Sequence, residues 1–537
     1  MTETRAKSHG VVRQSNLIIP PADTSHAELV RRSLSKAPTS KPVGWLAYIA
    51  LILLTVISYS PIFLSSLIWS EYDQVERSPY QSMDIWTEAW SLEMIRTEDP
   101  ITLSSYFIEQ KIPFEPSNVH HAINLLLHIT AAILLLKNLE ALELCAAFPV
   151  ALLFALHPTA LQTIFWSGYR DELIGLILIL AALYFGIHNR NTRDFIIHTI
   201  LCVIAYISHP ATLVLPMLLG LCIFYKNGSS DFKDYNRLLP LFCLALFIGV
   251  WTQGYSITTE LEFGERLGIS SRNFFFYLEQ AFFPYEKALF YPLYKSNGYS
   301  LGAHNGFLPI LLIIPFYILA AMNLRKKWAR GLLLGLTAYL LLIFYGICQA
   351  GTFIDGSFAL EDHLQYVALP IIIALVICIA DGITSIMGLK GKILSHLVFS
   401  IFAGIQIFIT ASYAYSLSDR AQMWYNLNEQ WPNAWIPKYA LIDIIEKSGH
   451  ESELLTNNET IEMLEDILDQ QPERIELRKK LIDTYLKEGQ NTNALRQYKR
   501  ILRSSEPNNE FLLEAAEFYD RLGLSWDAKN ALERISQ

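Results

Sequence analysis

Residues 43–68 read VGWLAYIALILLTVISYSPIFLSSLI, an apolar stretch without one charged side chain. It is too long for a cleaved signal peptide and has no small-residue cleavage site before its polar end, so it reads as a signal anchor that crosses a membrane. Working outward, further apolar runs of crossing length or nearly so occupy about 119–139, 142–157, 172–189, 194–209, 210–226, 237–253, 305–323, 330–350, 365–387 and 392–417. With the anchor they make eleven predicted spans. The fold class that follows is all-α, a polytopic membrane protein of about eleven helices.

The composition agrees. Of 537 residues 52% are hydrophobic and only 17% charged, against about 25% charged in an average soluble protein. Residues 418–537 carry 37 of the 93 Asp, Glu, Lys and Arg, 31% of that stretch, whereas 1–417 carry 13%. A charge-poor body with a charged tail excludes a single compact cytosolic enzyme. The net charge of −9, with no basic stripe on the charged part, argues against nucleic acid as the partner. The six cysteines lie in apolar runs and show no CxxC or Cys/His spacing, which argues against a disulfide framework and a zinc site.

Basic residues set the expected orientation. With the N-terminus inside, the inner connections receive Lys137; Arg190 and Arg193; Lys226, Lys233 and Arg237; Arg325, Lys326, Lys327 and Arg330; Lys390 and Lys392. The opposite face receives loop 69–118, with ten acidic residues against three basic, then 254–304 and 351–364. Residues 1–42, with seven Lys/Arg, read as a disordered cytoplasmic arm, 43–417 as the membrane domain and 418–537 as a soluble domain. Eleven spans from an inner N-terminus leave that domain outside. The expected location is a bacterial inner membrane with a periplasmic tail; in a eukaryote the same topology places the protein in the endoplasmic reticulum membrane.

Within the tail, Leu481, Ile482, Tyr485, Gly489, Ala494, Tyr498 and Ile501 align, 34 residues on, with Ala515, Ala516, Tyr519, Gly523, Ala528, Leu532 and Ile535. Pro472 and Pro507 punctuate the ends. This is the tetratricopeptide (TPR) pattern: small residues where paired helices touch, an aromatic between them and a glycine near the turn. A third, degenerate unit is expected over 432–471. Such an array either docks a peptide or protein or caps the membrane domain.

The spans read as mostly clean of polar residues, and the chemistry concentrates in the outer connections. WSEYDQVERSPY (69–80) places Glu71, Asp73 and Glu76 just after the anchor. HPTALQTIFWSGYRDEL (157–173) carries His157, Gln162, Arg170 and Asp171; 272–294 joins Arg272 to an aromatic run; LEDHLQYVALP (360–370) carries Asp362 and His363. Carboxylates and cations at an outer surface, with no Gly-rich phosphate loop, suit a lipid-phosphate sugar donor. A phosphate departs as an anion without a general acid, so one carboxylate suffices as base toward an acceptor hydroxyl. Arg and His then hold the phosphate as charge grows on it. This reading calls for no cofactor and no metal. Plainer alternatives stay open: Asp73 as a solvated acid, Arg170–Asp171 as an ion pair at a helix start, His157 as a helix-end cap. Asp362 and His363 read equally as interfacial anchors, and 272–294 as an interfacial amphipathic segment.

Five stretches then give the chain a family resemblance: DPITLSSYFIEQ (99–110), HHAINLLLHITAAILLL (120–136), FALHPTALQTIFWSGYRDEL (154–173), SHPATLVLPMLLGL (208–221) and DHLQYVALP (362–370). In order and spacing, from about residue 69 to the end, the chain resembles the GT-C membrane glycosyltransferases with C-terminal tetratricopeptide repeats. These are the TMTC-type protein O-mannosyltransferases and their bacterial relatives. The resemblance implies an acidic base in the first outer loop, at Asp73, and places Arg170 and His157 at the family's arginine and HP histidine. The sequence departs from the family at Ala160 and Gln162, where a second histidine and a glutamate are usual. It departs again at His363 in place of an arginine and at His209 in place of a lysine, which leaves the donor sugar open.

The expected activity is an inverting transfer of a sugar from polyprenyl phosphate to Ser or Thr of an exported protein. Asp73 is the expected base. Arg170, Arg272 and His363 are expected on the lipid phosphate, with His157, Asp171 and Asp362 completing the donor site. The repeats dock the acceptor and raise its local concentration. The expected partners are the polyprenyl-phosphate-linked sugar, the exported acceptor and membrane lipids. Two rivals share these features: transfer of sugar onto a glycan or lipid, and an inactive membrane scaffold that presents the repeats.

Overall fold

The computed structural model describes residues 43–65, 83–97, 99–144, 146–188, 191–228, 235–252, 263–284, 291–292, 308–349, 359–360, 362–448, 455–504 and 509–535. The arm 1–42 and the segment with Glu71, Asp73 and Glu76 lie outside the described residues. Helices dominate. In chain order they are α1 (Trp45–Leu64), α2 (Met83–Ala89), α3 (Pro100–Glu109), α4 (Pro116–Ala141), α5 (Ala147–Ala155), α6 (Ala160–Phe165), α7 (Arg170–His188) and α8 (Thr192–Ser208). There follow α9 (Pro210–Asn227), α10 (Leu238–Thr252), α11 (Phe263–Phe282), α12 (Leu308–Ala321), α13 (Lys327–Gln349), α14 (Leu369–Ile386) and α15 (Gly388–Ser416). Among the described residues the strands are confined to one antiparallel pair, Tyr291–Pro292 against Ala359–Leu360.

Seven of these helices, α1, α4, α7, α9, α13, α14 and α15, are long and apolar enough to cross a membrane. The chain is an all-α polytopic membrane protein. Of the other predicted spans, those at 194–209, 237–253 and 305–323 form the shorter α8, α10 and α12, of 17, 15 and 14 residues.

The predicted span at 142–157 needs correction. Its helix, α5, has nine residues, a rise of about 13.5 Å where about 30 Å of hydrocarbon must be crossed. Pro158 stops it: proline has no N–H to donate and disfavours helical geometry in the residue before it. The chain breaks at His157 and resumes as α6. Its contacts with α4 climb from Leu139, beside Leu144, to His128, whose ring meets the Ala155 carbonyl, then to Asn124 at the Ile164 carbonyl and His120 at Arg170. Leu139 to Asn124, which meets Ile164 near the end of α6, is about 22 Å of α4 at 1.5 Å per residue, and Arg170, which begins the next helix, meets His120 one turn further on. The crossing is therefore one broken helix that runs to residue 165.

A break at that depth frees backbone carbonyls where no water can reach them, and such a break persists only if neighbours satisfy them. Three neighbours do. His128 Nε2 donates to Ala155 O (3.1 Å), Thr410 Oγ1 on α15 to Leu156 O (2.8 Å) and Tyr59 OH on α1 to His157 O (2.8 Å). A carbonyl only accepts, so His128 carries its proton on Nε2, and its Nδ1 accepts from Tyr366 OH at 2.8 Å.

After α15 the chain continues as α16 (Arg420–Gln430), α17 (Trp435–Ser448), α18 (Asn457–Gln470), α19 (Ile475–Lys487), α20 (Asn491–Ser504), α21 (Asn509–Arg521) and α22 (Ser525–Ile535); α16 to α19 each pack on the next, and α21 packs on α22. The pair α19–α20 and the pair α21–α22 start at the same 34-residue offset. Of the aligned side chains, Leu481, Tyr485, Ala494 and Tyr498 are buried, as are Ala515, Ala516, Tyr519 and Ala528, whereas Leu532 is exposed. Gly489 (φ 69°) and Gly523 (φ 73°) turn the chain between paired helices in the left-handed region, where a side chain costs about 1–2 kcal/mol. Tyr485 OH bonds Glu465 and Tyr498 OH bonds Glu514, which ties each pair to its neighbour.

Candidate functional site

His120, Asn124 and His128 stand four residues apart on α4, hence on one face, and all three are fully buried. Polar side chains at membrane depth are costly and mark a site by default. His120 and Asn124 belong to a network that joins α4, α7 and α3 at one end of the bundle. At its centre is Arg170, with no exposed surface. Its Nε donates to Asn124 Oδ1 (2.7 Å) and its Nη1 to Ser105 Oγ (3.0 Å). Nη1 also stands 2.5 Å from Glu109 Oε2, and Nη2 lies 2.7 Å from His120 Nδ1. The Tyr106 ring lies against the guanidinium, 4.5 Å from its carbon.

The bonds have a direction. Arg170 Nε can only donate, so Asn124 presents its oxygen there and its amide nitrogen to Ile164 O (3.0 Å) and to His120 Nε2 (2.9 Å). Neutral His120 then carries its proton on Nδ1 and donates it to Glu109 Oε1 at 2.9 Å. Burial alone would raise the Glu109 carboxyl. The His120 hydrogen bond and the Arg170 charge outweigh it and hold the carboxyl below its usual value.

The other end of α3 is tied as well. Asp99 caps it by accepting from Ile101 N (2.9 Å), and Ser208, at the end of α8, donates to Asp99 Oδ2 (3.1 Å). Burial pushes the Asp99 carboxyl up, partly offset by the hydrogen bonds it accepts. Trp86 on α2 and Trp90 just after it both donate to Ser104 on α3. The helix is thus fastened across the ends of α4, α7 and α8.

Each sequence-predicted residue within the described stretches has a place. Arg170 pairs with Glu109 and not with Asp171. Asp171, in the first turn of α7, has 34% of its side chain exposed and lies 3.9 Å from His209 Nε2, while buried Glu172 is closer, at 3.3 Å. His209 fits there because Gly175 leaves a notch: a Cβ on Gly175 would come 2.9 Å from the His209 Cβ. His363 stacks on Tyr169 with 3.5 Å between ring centres, and its backbone N–H donates to Gln162 Oε1 at 2.8 Å. Asp362 is buried and accepts from Tyr291 OH at 3.3 Å. Ala160 is fully buried within the broken crossing. Arg272 is half-buried on α11, which packs on α13 and on the turn at 362–365.

His157 is not with them. It sits at the break, where the carbonyl two residues before it, Ala155, is level with His128, two turns or about 12 Å of α4 from His120. Its Nε2 donates to Ala281 O at 3.1 Å and its Nδ1 accepts from Thr159 N. The break, rather than an outer connection, holds it. Asp73 lies outside the described residues.

Sequence reasoning passed over Glu109, Ser105, Asn124, His120 and Glu172. One signal was legible: polar residues at 120, 124 and 128 in an otherwise apolar span contradict a clean one and share a helix face. Nothing local in the sequence marks Glu109, one of ten acids in its loop, as Arg170's partner. Among the described residues no three His, Cys, Asp or Glu are arranged to hold a metal ion.

No protein-family model matches the chain. In a 222-position alignment that covers 38% of its length, the chain is 22% identical to Protein O-mannosyl-transferase F38B6.6 of Caenorhabditis elegans. The two are distant relatives. The match spans 32% of the length of the C. elegans protein.

Proposed function

We propose that the chain is a membrane glycosyltransferase that moves a sugar from a polyprenyl-phosphate carrier to a Ser or Thr hydroxyl of an exported protein. The distant similarity to a protein O-mannosyl-transferase supports the class of reaction. The observation that carries the site is the meeting, at one end of the bundle, of polar residues from 99–109, 120–124, 162–172, 208–209 and 362–363.

The reaction is a single displacement. The acceptor oxygen bonds to the anomeric carbon as the anomeric carbon–oxygen bond to phosphate breaks. The phosphate leaves with the electron pair, the hydroxyl proton passes to a carboxylate, and the configuration inverts. Asp73 is the base by its place in the first connection. Arg170 is enclosed inside the protein, and the lipid phosphate is assigned to Arg272 and His363. Asp171, the partly exposed carboxylate, accepts from sugar hydroxyls. His157 and Asp362 support the site from within. The site faces away from the cytoplasm, and the 34-residue helix pairs act as a TPR-like array that docks the acceptor.

The test uses the full chain in lipid nanodiscs with radiolabelled mannosyl and glucosyl polyprenyl phosphates and a Ser/Thr-rich peptide. Label should enter the peptide with inverted linkage, and D73N should abolish it. No transfer of either sugar to the peptide refutes the reading.

A further inference from the structure

Glu109 is 4% exposed and Arg170 wholly buried. Both carboxylate oxygens of Glu109 are engaged inside the protein, Oε1 by His120 and Oε2 by Arg170. Arg170 donates from Nε to Asn124 and from Nη1 to Ser105 and Glu109, its Nη2 lies against the His120 ring, and Tyr106 covers its face. An anion arriving at Arg170 would have to break the pair and then sit beside the released carboxylate. That is a poor phosphate site. It is a good joint, because Glu109 ends α3 and Arg170 begins α7.

We propose that Glu109 and Arg170 form a charge-paired joint that fixes α3 against α4 and α7, and that neither residue contacts the donor. The pair fastens one end of α3, as Asp99 and Ser208 fasten the other. The inference rests on the glycosyltransferase reading for its kinetic test alone.

A joint and a ligand respond differently to paired substitution. Removing one member of a buried ion pair strands the other charge, whereas replacing both removes the problem. The experiment compares wild type, E109Q, R170Q and E109Q/R170Q as full chains in nanodiscs, by donor KM, kcat and thermal unfolding midpoint. Each single variant should lose kcat by about 100-fold or more, with donor KM changed less than about threefold because no ligand contact is removed. The double variant should recover to within about tenfold of wild type, and its midpoint should recover likewise.

If Arg170 instead holds the phosphate, the double variant is as impaired as R170Q and the loss appears in donor KM. Either result overturns the proposal. Should a single variant fail to fold, a folded double variant is the expected outcome, and a double variant that stays unfolded overturns it. If wild type shows no transfer, the glycosyltransferase reading fails. The midpoints still decide the joint, since it requires the double variant to be more stable than either single.

Discussion

Thr410 tests whether the broken crossing is held by its neighbours. Its hydroxyl is fully buried and donates to Leu156 O at 2.8 Å, from a helix more than 250 residues later in the chain. Thr410→Val keeps the shape and replaces the hydroxyl by a methyl group, so the carbonyl loses its donor in an apolar setting. Stranding a buried polar group costs about 1–3 kcal/mol, while hydrogen bonds measured within membranes average about 0.6 and reach about 1.7 kcal/mol. The expected loss is about 1–2 kcal/mol, near the upper membrane figure, because the broken helix offers that carbonyl no replacement. Thr410→Ser, which keeps the donor, should lose less than about 0.5 kcal/mol. Tyr59→Phe should cost less than the valine variant, because His157 O also accepts from Ala160 N at 3.0 Å. Reversible unfolding of the full chain in bicelles, followed by steric trapping, measures all three. A valine variant as stable as wild type, or a serine variant as damaged as the valine one, refutes the account.

Asp73→Asn should abolish transfer and leave donor affinity within a few-fold of wild type, as measured by turnover and equilibrium binding. Acid should weaken the Glu109 pairing: its folded carboxyl lies below the usual value, so the stabilisation is complete above the unfolded pKa of about 4.3 and is lost as pH falls through the folded value. The melting advantage of wild type over E109Q should therefore shrink on acidification, and a constant gap would count against it. Gly523→Ala should destabilise the tail by about 1–2 kcal/mol through its backbone angle alone, since nothing lies within 4 Å of the added Cβ. Chemical unfolding followed by tryptophan fluorescence checks this. A reporter fused after Gln537 that works only in cytoplasm should stay silent, and activity there would reverse the orientation.

Much of the site was hidden for a plain physical reason. Arg170 was conspicuous in sequence because a guanidinium at the end of an apolar run needs a partner. The neighbouring Asp171 is the obvious one on paper, yet on a helix adjacent side chains point away from each other. The partner came from 61 residues earlier, on a helix that lies across the bundle. His209 illustrates the same limit. Its closeness to Glu172 depends on a notch at Gly175, and which helix a glycine faces is invisible along the chain.

The sequence by itself determined the all-helical class, most of the crossings and the 34-residue offset in the tail. These follow from local properties: apolar length against bilayer thickness, and small, aromatic and glycine positions within one helix pair. It also determined that a helix must stop at His157–Pro158, since proline acts on its own neighbours. Only the tertiary structure decided that the chain continues its crossing beyond that stop. Three donors from α1, α4 and α15 must converge on three adjacent carbonyls to allow it. Likewise only the packed bundle decided that the charge on Arg170 is balanced by Glu109, because pairing at 2.5 Å depends on how helices cross rather than on spacing along the chain.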